Sequence, residues 1–128
     1  MSVHRRLRLL VQPWRLVVER FDAAMPLMDV AALAPAQGFV ALVRSPESVT
    51  LVREAKPGDR GVVWCAIEIA GSFAFSETGV LAALAGPLAE AGVSIFAINS
   101  YETDFVLVPE GDLDKARMAV ETAGHQLG

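Results

Sequence analysis

One cysteine, Cys65, stands in 128 residues. No internal disulfide can form, which fits a reducing compartment. Histidine is almost as scarce: His4 and His125 are the only two, and neither lies at metal-ligand spacing from the other or from Cys65, so no zinc site can be read. Aromatic residues make up 7% and charged residues 20%. The net charge is 11 − 15 = −4. A chain with this balance repels phosphate backbones and has few rings on which bases could stack, which argues against a nucleic-acid partner. The exception is the basic cluster His4-Arg5-Arg6-Arg8, read as a solvated arm. No uninterrupted apolar run approaches the ~18 residues of a membrane span. The basic start is interrupted by Arg8 and Pro13 and makes a poor signal peptide, so a cytoplasmic protein without a membrane partner is expected. P-loop, GxSxG, HExxH and GxGxxG patterns are all missing.

What is present is apolar: 53% of the chain is hydrophobic, enough for a packed globule of one domain or two small ones sharing a core. In the C-terminal half, "VVWCAIEIAG" alternates as a strand, with Val63, Cys65, Ile67 and Ile69 on one face. Cys65 is in phase with the core, which argues against a thiolate nucleophile. After the loop "SFAFSETG", the segment "VLAALAGPLAEAG" reads as a helix with Leu81, Leu84 and Leu88 at helical spacing and Gly92 as its stop. Pro87 cannot donate to the carbonyl of Ala83, so a kink or an early break is expected there. "VSIFAIN" and "TDFVLVP" form a tight antiparallel hairpin. Asp112 is placed to cap "LDKARMAVETA", whose apolar stripe is Leu113, Ala116, Val120 and Ala123, and "HQL" can add a last short strand. The order β-α-β-β-α-(β) is that of a ferredoxin-like unit.

The N-terminal half offers strands at "LRLLV", "WRLVVERF", "GFVALVR" and "SVTLVRE", with a short helix in "PLMDVAALA" that has Pro26 at its first position. "AKPGDRG", residues 55–61, has the composition of a linker. The expected fold class is therefore α+β, with two units, 1–54 and 62–128, packed together and dimerising through exposed sheet edges.

Two stretches raise questions of chemistry. The loop "SFAFSETG" leads from a strand into a helix, where free peptide N–H groups and the helix dipole favour an anion such as a carboxylate. A plain N-cap by Ser76 or Thr78 accounts for it equally. "SYETDFVLV", residues 100–108, sets Ser100, Tyr101, Thr103 and Asp104 at a hairpin tip between two apolar segments. The Asp104 carboxylate could meet the cationic end of a zwitterion whose carboxylate is held by the loop, or it could simply satisfy turn amides.

The run "GSFAFSETGVLAALAGPLAEAGVSIFAINSYETDFVLV", Gly71 to Val108, resembles the second repeat of small tandem ACT-domain proteins, and the same signature marks the ACT-type arginine sensors of animal nutrient signalling. The likeness extends over about residues 62–127, and Pro87 is at home in it. Over 1–54 it is looser, resting on "RSPESVTLV". It implies two tandem ACT-like βαββαβ units and a regulatory ligand-binding module rather than an enzyme. An amino acid would lie between ACT units, held by the loop before the helix and by the Thr-Asp hairpin. Residue by residue this carries to Glu77, Gly79 and Val80 in the loop and helix start, and to Ser100, Tyr101 and Asp104 in the hairpin, with Ser72 and Thr103 included by proximity. Asn99 departs from the family's serine. The expected partners are an amino acid, a second copy of the chain and a regulated protein, with no cofactor and no metal. The rivals are an interaction module with a vestigial site, and an enzyme using Asp104 or Glu77 as general base, for which no arginine or lysine lies in or near the motif.

Overall fold

The computed structural model describes residues 6–70 and 79–128. Along them run β1 (Arg8–Asp22), α1 (Leu27–Ala31), β2 (Val40–Arg44), β3 (Ser48–Glu54), β4 (Trp64–Ile69), α2 (Val80–Glu90), β5 (Phe96–Asn99), β6 (Asp104–Pro109), α3 (Leu113–Thr122) and β7 (Gln126–Leu127). Backbone contacts divide the chain into two units: Trp14–Trp64, and the rest of the described residues. The sequence pattern groups residues 1–13 with the N-terminal half. In the structure residues 6–13 cluster with the C-terminal one, because Leu7 and Leu9 are buried in the same core as Ile67, Leu84 and Val106. Alternation shows which way a strand's side chains point but not which strands lie beside it.

The C-terminal unit is built on β4, which lies between the start of β1 and β6, with β5 beyond β6. The hairpin β5–β6 is antiparallel, pairing Phe96 with Leu107 and Asn99 with Asp104. The expected terminal strand is present: β7 pairs in parallel with the start of β1, Arg8 with Gln126 and Leu9 with Leu127. Cys65, Ile67 and Ile69 are fully buried, as the alternation predicts, and Ala66 on the opposite face is buried too. Val80, Leu84 and Leu88 of α2, and Ala116 and Val120 of α3, complete this core. Removing a buried leucine from such a cluster typically costs about 2–5 kcal/mol.

Both helices end in the same way. At α2, Gly92 takes φ +75°, its N–H donates to the Ala89 carbonyl, and the Val93 N–H donates to Leu88. At α3, Gly124 takes φ +98°, its N–H donates to Glu121, and the His125 N–H donates to Val120. These are Schellman ends, which need a residue free to adopt positive φ. The expected break at Pro87 does not occur. The helix continues to Glu90, and Ala91 N–H donates to the Pro87 carbonyl at 3.1 Å. Asp112 occupies the N-cap position of α3 without a side-chain capping bond.

In the N-terminal unit β3 lies between β2 and the second part of β1, all antiparallel, from Leu16↔Glu54 to Asp22↔Ser48 on one side and Val40↔Arg53 to Arg44↔Val49 on the other. The two strands expected at 7–11 and 14–21 are one strand. Pro13, which has no N–H to give, falls between the stretch paired with β7 and the stretch paired with β3. Five-residue α1 is too short to persist alone; its Val30 is buried on Val49 and Leu51. Gly38 has φ +94°, and a Cβ there would run into the Glu54 carboxylate, which accepts the Phe39 N–H. The Phe39 ring stacks on Trp14 at 5.2 Å.

Arg53 continues the inward phase of Val49 and Leu51 and is 6% exposed. Its Nε donates to Glu19 at 2.9 Å, and its two terminal nitrogens donate to both carboxylate oxygens of Asp59, at 3.0 and 2.9 Å. Asp59 also accepts the Lys56 N–H. These bonds, Arg53 first, hold the Asp59 carboxyl at about 2, below its ordinary 3.8. The Asp59 hydrogen bonds push the arginine further up, against the opposing effect of burial. The fork-to-fork geometry fixes the loop after β3 to the sheet.

A carboxyl lowered in the folded state contributes stability above its unfolded value, lost as pH falls through its folded one. Urea unfolding followed from pH 5 to 2 is expected to show that loss between about 4 and 2, and Asp59→Asn to make the slope shallower by about one proton. An unchanged slope in Asp59→Asn would contradict this pairing.

Candidate functional site

The hairpin tip is held by one side chain. Ser100 Oγ donates to the Thr103 carbonyl at 2.9 Å and accepts the Thr103 N–H at 3.1 Å, while the Ser100 N–H donates to the same carbonyl at 2.8 Å. Serine is suited to this because its hydroxyl both donates and accepts. The Thr103 hydroxyl turns the other way and donates to the Ile69 carbonyl at 2.8 Å. Ile69 is the last residue of β4, so the tip of the hairpin sits where that strand ends and the loop toward α2 begins. Thr103 is half-buried, which makes this bond stronger than one in open water.

Asp104 begins β6, paired with Asn99 across the hairpin, and is half-buried. Among the described residues its carboxylate has neither a hydrogen-bond nor an ion-pair partner. The Thr103 amide of the turn is satisfied by Ser100 rather than by Asp104. This leaves an acceptor of negative charge, uncommitted, beside the end of β4. Tyr101 stands 80% exposed next to it.

On the helix side, Gly79 is the N-cap of α2 in the left-handed region, φ +83°, and its carbonyl accepts the first helical bond from Ala83 at 2.9 Å. A side chain at that φ would be strained, so glycine is required. Val80 is 3% exposed and belongs to the core. Its backbone N–H lies in the first turn of the helix, where such groups lack a partner within the helix. Ser72 and Glu77 lie outside the described residues. Of the expected site residues, then, the structure groups Ser100, Tyr101, Thr103 and Asp104 on one turn and ties that turn to the strand from which the loop departs.

Two concavities lie elsewhere. One, of about 540 Å³, is lined by Glu19, Arg53, Asp59 and Trp64 among others; the second, of about 440 Å³, lies between α2 and α3 at Pro87, Lys115 and Met118. No group of histidine, cysteine or acidic side chains among the described residues is arranged to hold a metal ion. No helix of the described residues is long and apolar enough to cross a membrane.

Sequence reasoning missed the role of Thr103, which it included only by proximity. It also missed His125, whose ring bridges α2 and the residue before β1. Arg53 was legible in principle: a charge in the phase of Val49 and Leu51 announces a buried cation that needs partners.

Residues 62–121 match the ACT domain family. The cytosolic arginine sensor for mTORC1 subunit 1 of Homo sapiens is 32% identical over 81 residues, 58% of this chain and 23% of that protein. The Bos taurus sensor gives the same figures. The human putative protein CASTOR3P is 28% identical over 92 residues, 59% of this chain and 56% of that one. The chain thus spans 23% of the length of the arginine sensors it matches. Among solved structures, protein Atu0741 from Agrobacterium tumefaciens has a TM-score of 0.81 at 28% identity, over 97% of this chain and 93% of that one. The resemblance read from Gly71–Val108 is borne out, and the mixed α/β architecture of the C-terminal unit is ACT-like.

Thr103→Val keeps the shape and removes the hydroxyl. It is expected to lower unfolding free energy by about 0.5–1.5 kcal/mol in urea and to speed amide exchange across residues 100–104. Unchanged exchange would mean that the bond to Ile69 does not hold the turn.

Proposed function

We propose that this chain, whose residues 62–121 match the ACT domain, is a regulatory module that binds an amino acid and uses it as a signal. The ligand is held by the turn Ser100–Asp104 and by the loop entering α2. Asp104 takes the ligand's cationic group, and peptide N–H groups at the start of α2 take its carboxylate. The observation that carries this reading is the Asp104 carboxylate, without a partner among the described residues and following Thr103, whose hydroxyl is bonded to Ile69 at the end of β4. A rigid turn presenting one unpartnered charge is pre-organised for a ligand and loses little entropy on binding it. The similarity to proteins named as arginine sensors supports the ligand class.

The same reading carries two tandem ACT-like units, 1–54 and 62–128, with residues 6–13 of the first packing into the core of the second. The β-α-β-β order of β1, α1, β2 and β3, with β3 between its neighbours, supports the first of them. It also carries a cytoplasmic location and a homodimer, for which β2 and β5, at the ends of the strand order among the described residues, offer edges. The ligand regulates by its differential affinity for two arrangements of the assembly. The rival is an interaction module that has lost its ligand.

Thermal denaturation against the twenty amino acids distinguishes the two. A true ligand at 100 times its dissociation constant is expected to add about 2.7 kcal/mol to stability. Asp104→Ala is expected to abolish that shift while leaving the unliganded melting midpoint nearly unchanged. A flat response across the panel supports the rival, and a shift that survives Asp104→Ala moves the site elsewhere.

A further inference from the structure

Pro87 leaves a specific gap in α2. In an unbroken helix the N–H of residue 87 would donate to the carbonyl of Ala83, and proline has none. A half-buried carbonyl without a partner is costly, yet the helix runs on to Glu90. The missing donor comes from outside the helix. His125 is 6% exposed, and its Nε2 lies 2.7 Å from the Ala83 carbonyl oxygen. On the other side of the ring, Nδ1 accepts the N–H of Leu7 at 3.0 Å. Leu7 carries only a donor there, so Nδ1 must be unprotonated and Nε2 must hold the proton. One neutral tautomer satisfies both neighbours and the alternative satisfies neither.

We propose that His125 supplies to Ala83 the hydrogen bond that Pro87 withholds, and that it is thereby the positioning residue for α2. The ring reaches this place because Gly124, at φ +98°, closes α3 in a Schellman turn that directs the next residue back toward the core. The two departures from regularity answer each other: proline opens a carbonyl in the middle of α2, and a histidine just beyond α3 closes it. The same ring holds the backbone of Leu7, whose carbonyl accepts the Gln126 N–H. Two segments, α2 and the residue before β1, therefore meet on one imidazole, and the start of β7 is bonded to the second of them. Ala83 lies about one turn beyond Gly79, the N-cap of α2, so the placement of that helix start depends on His125, which is far from it along the chain. This assignment is independent of whether the chain binds an amino acid.

Two measurements on the full chain test it. Nitrogen NMR of the imidazoles, with His4 identified by His4→Gln, is expected to show His125 as a single tautomer with the proton on Nε2. A proton on Nδ1, or a mixture of the two tautomers, overturns the proposal. The second measurement is a double-mutant cycle of thermal midpoints. His125→Phe is expected to lower the midpoint by several degrees in the native background and by less than half as much in Pro87→Ala, where residue 87 again has an N–H to give. The lost contact to Leu7 is common to both backgrounds and cancels. Should His125→Phe fail to fold, Pro87→Ala is expected to restore folding. Equal losses in the two backgrounds, or no rescue, overturns the proposal.

Discussion

The hydrogen bond from the Thr103 hydroxyl to the Ile69 carbonyl determines what the C-terminal unit presents to solvent. It joins the β5–β6 turn to the place where β4 gives way to the loop before α2. Without it the turn would be an ordinary hairpin tip, free to fray. With it, and with Ser100 satisfying the turn's own amide and carbonyl, Asp104 is left with its charge uncommitted. A carboxylate at a turn usually serves the turn. Here that task has passed to a serine, which is why the acid is read as part of a site.

The second constraint is the helix that begins at the far end of the loop. Its start needs Gly79 at positive φ, its middle contains a proline, and its end needs Gly92 at positive φ. The glycines suit the two ends, but the proline would weaken an isolated helix. The helix holds because Val80, Leu84 and Leu88 are buried at intervals of four and because its one open carbonyl is met by an imidazole. Tertiary packing overrides local propensity here, and the position of α2 is accordingly fixed by residues far away in sequence.

Local signals in the sequence were reliable. The 3.6-residue spacing located α2 and α3, glycine marked both helix ends, and alternation placed Cys65, Ile67 and Ile69 in the core. The polar tetrad between two apolar runs identified the hairpin, and even the two-residue β7 was anticipated from "HQL". What could not be read depends on distant contacts. Pro13 suggested two strands where the structure has one, and it falls between the stretch paired with β7 and the stretch paired with β3. Leu7 and Leu9 share a core with residues more than fifty positions away. Pro87 was rightly seen to orphan Ala83, but nothing in the spacing pointed to His125 as the donor. At the candidate site, residue types were legible and orientations were not: nothing in the spacing showed that the Val80 side chain lies in the core or that the Thr103 hydroxyl reaches Ile69.

The most direct test of the central claim is a backbone amide NMR titration of the labelled chain with each of the amino acids. If the turn and the helix start form one site, the amides of Gly79, Val80 and residues 100–104 should shift together along one saturation curve. Shifts confined to one of the two elements, or lying at another surface, or an absence of shifts throughout the series, would contradict the account.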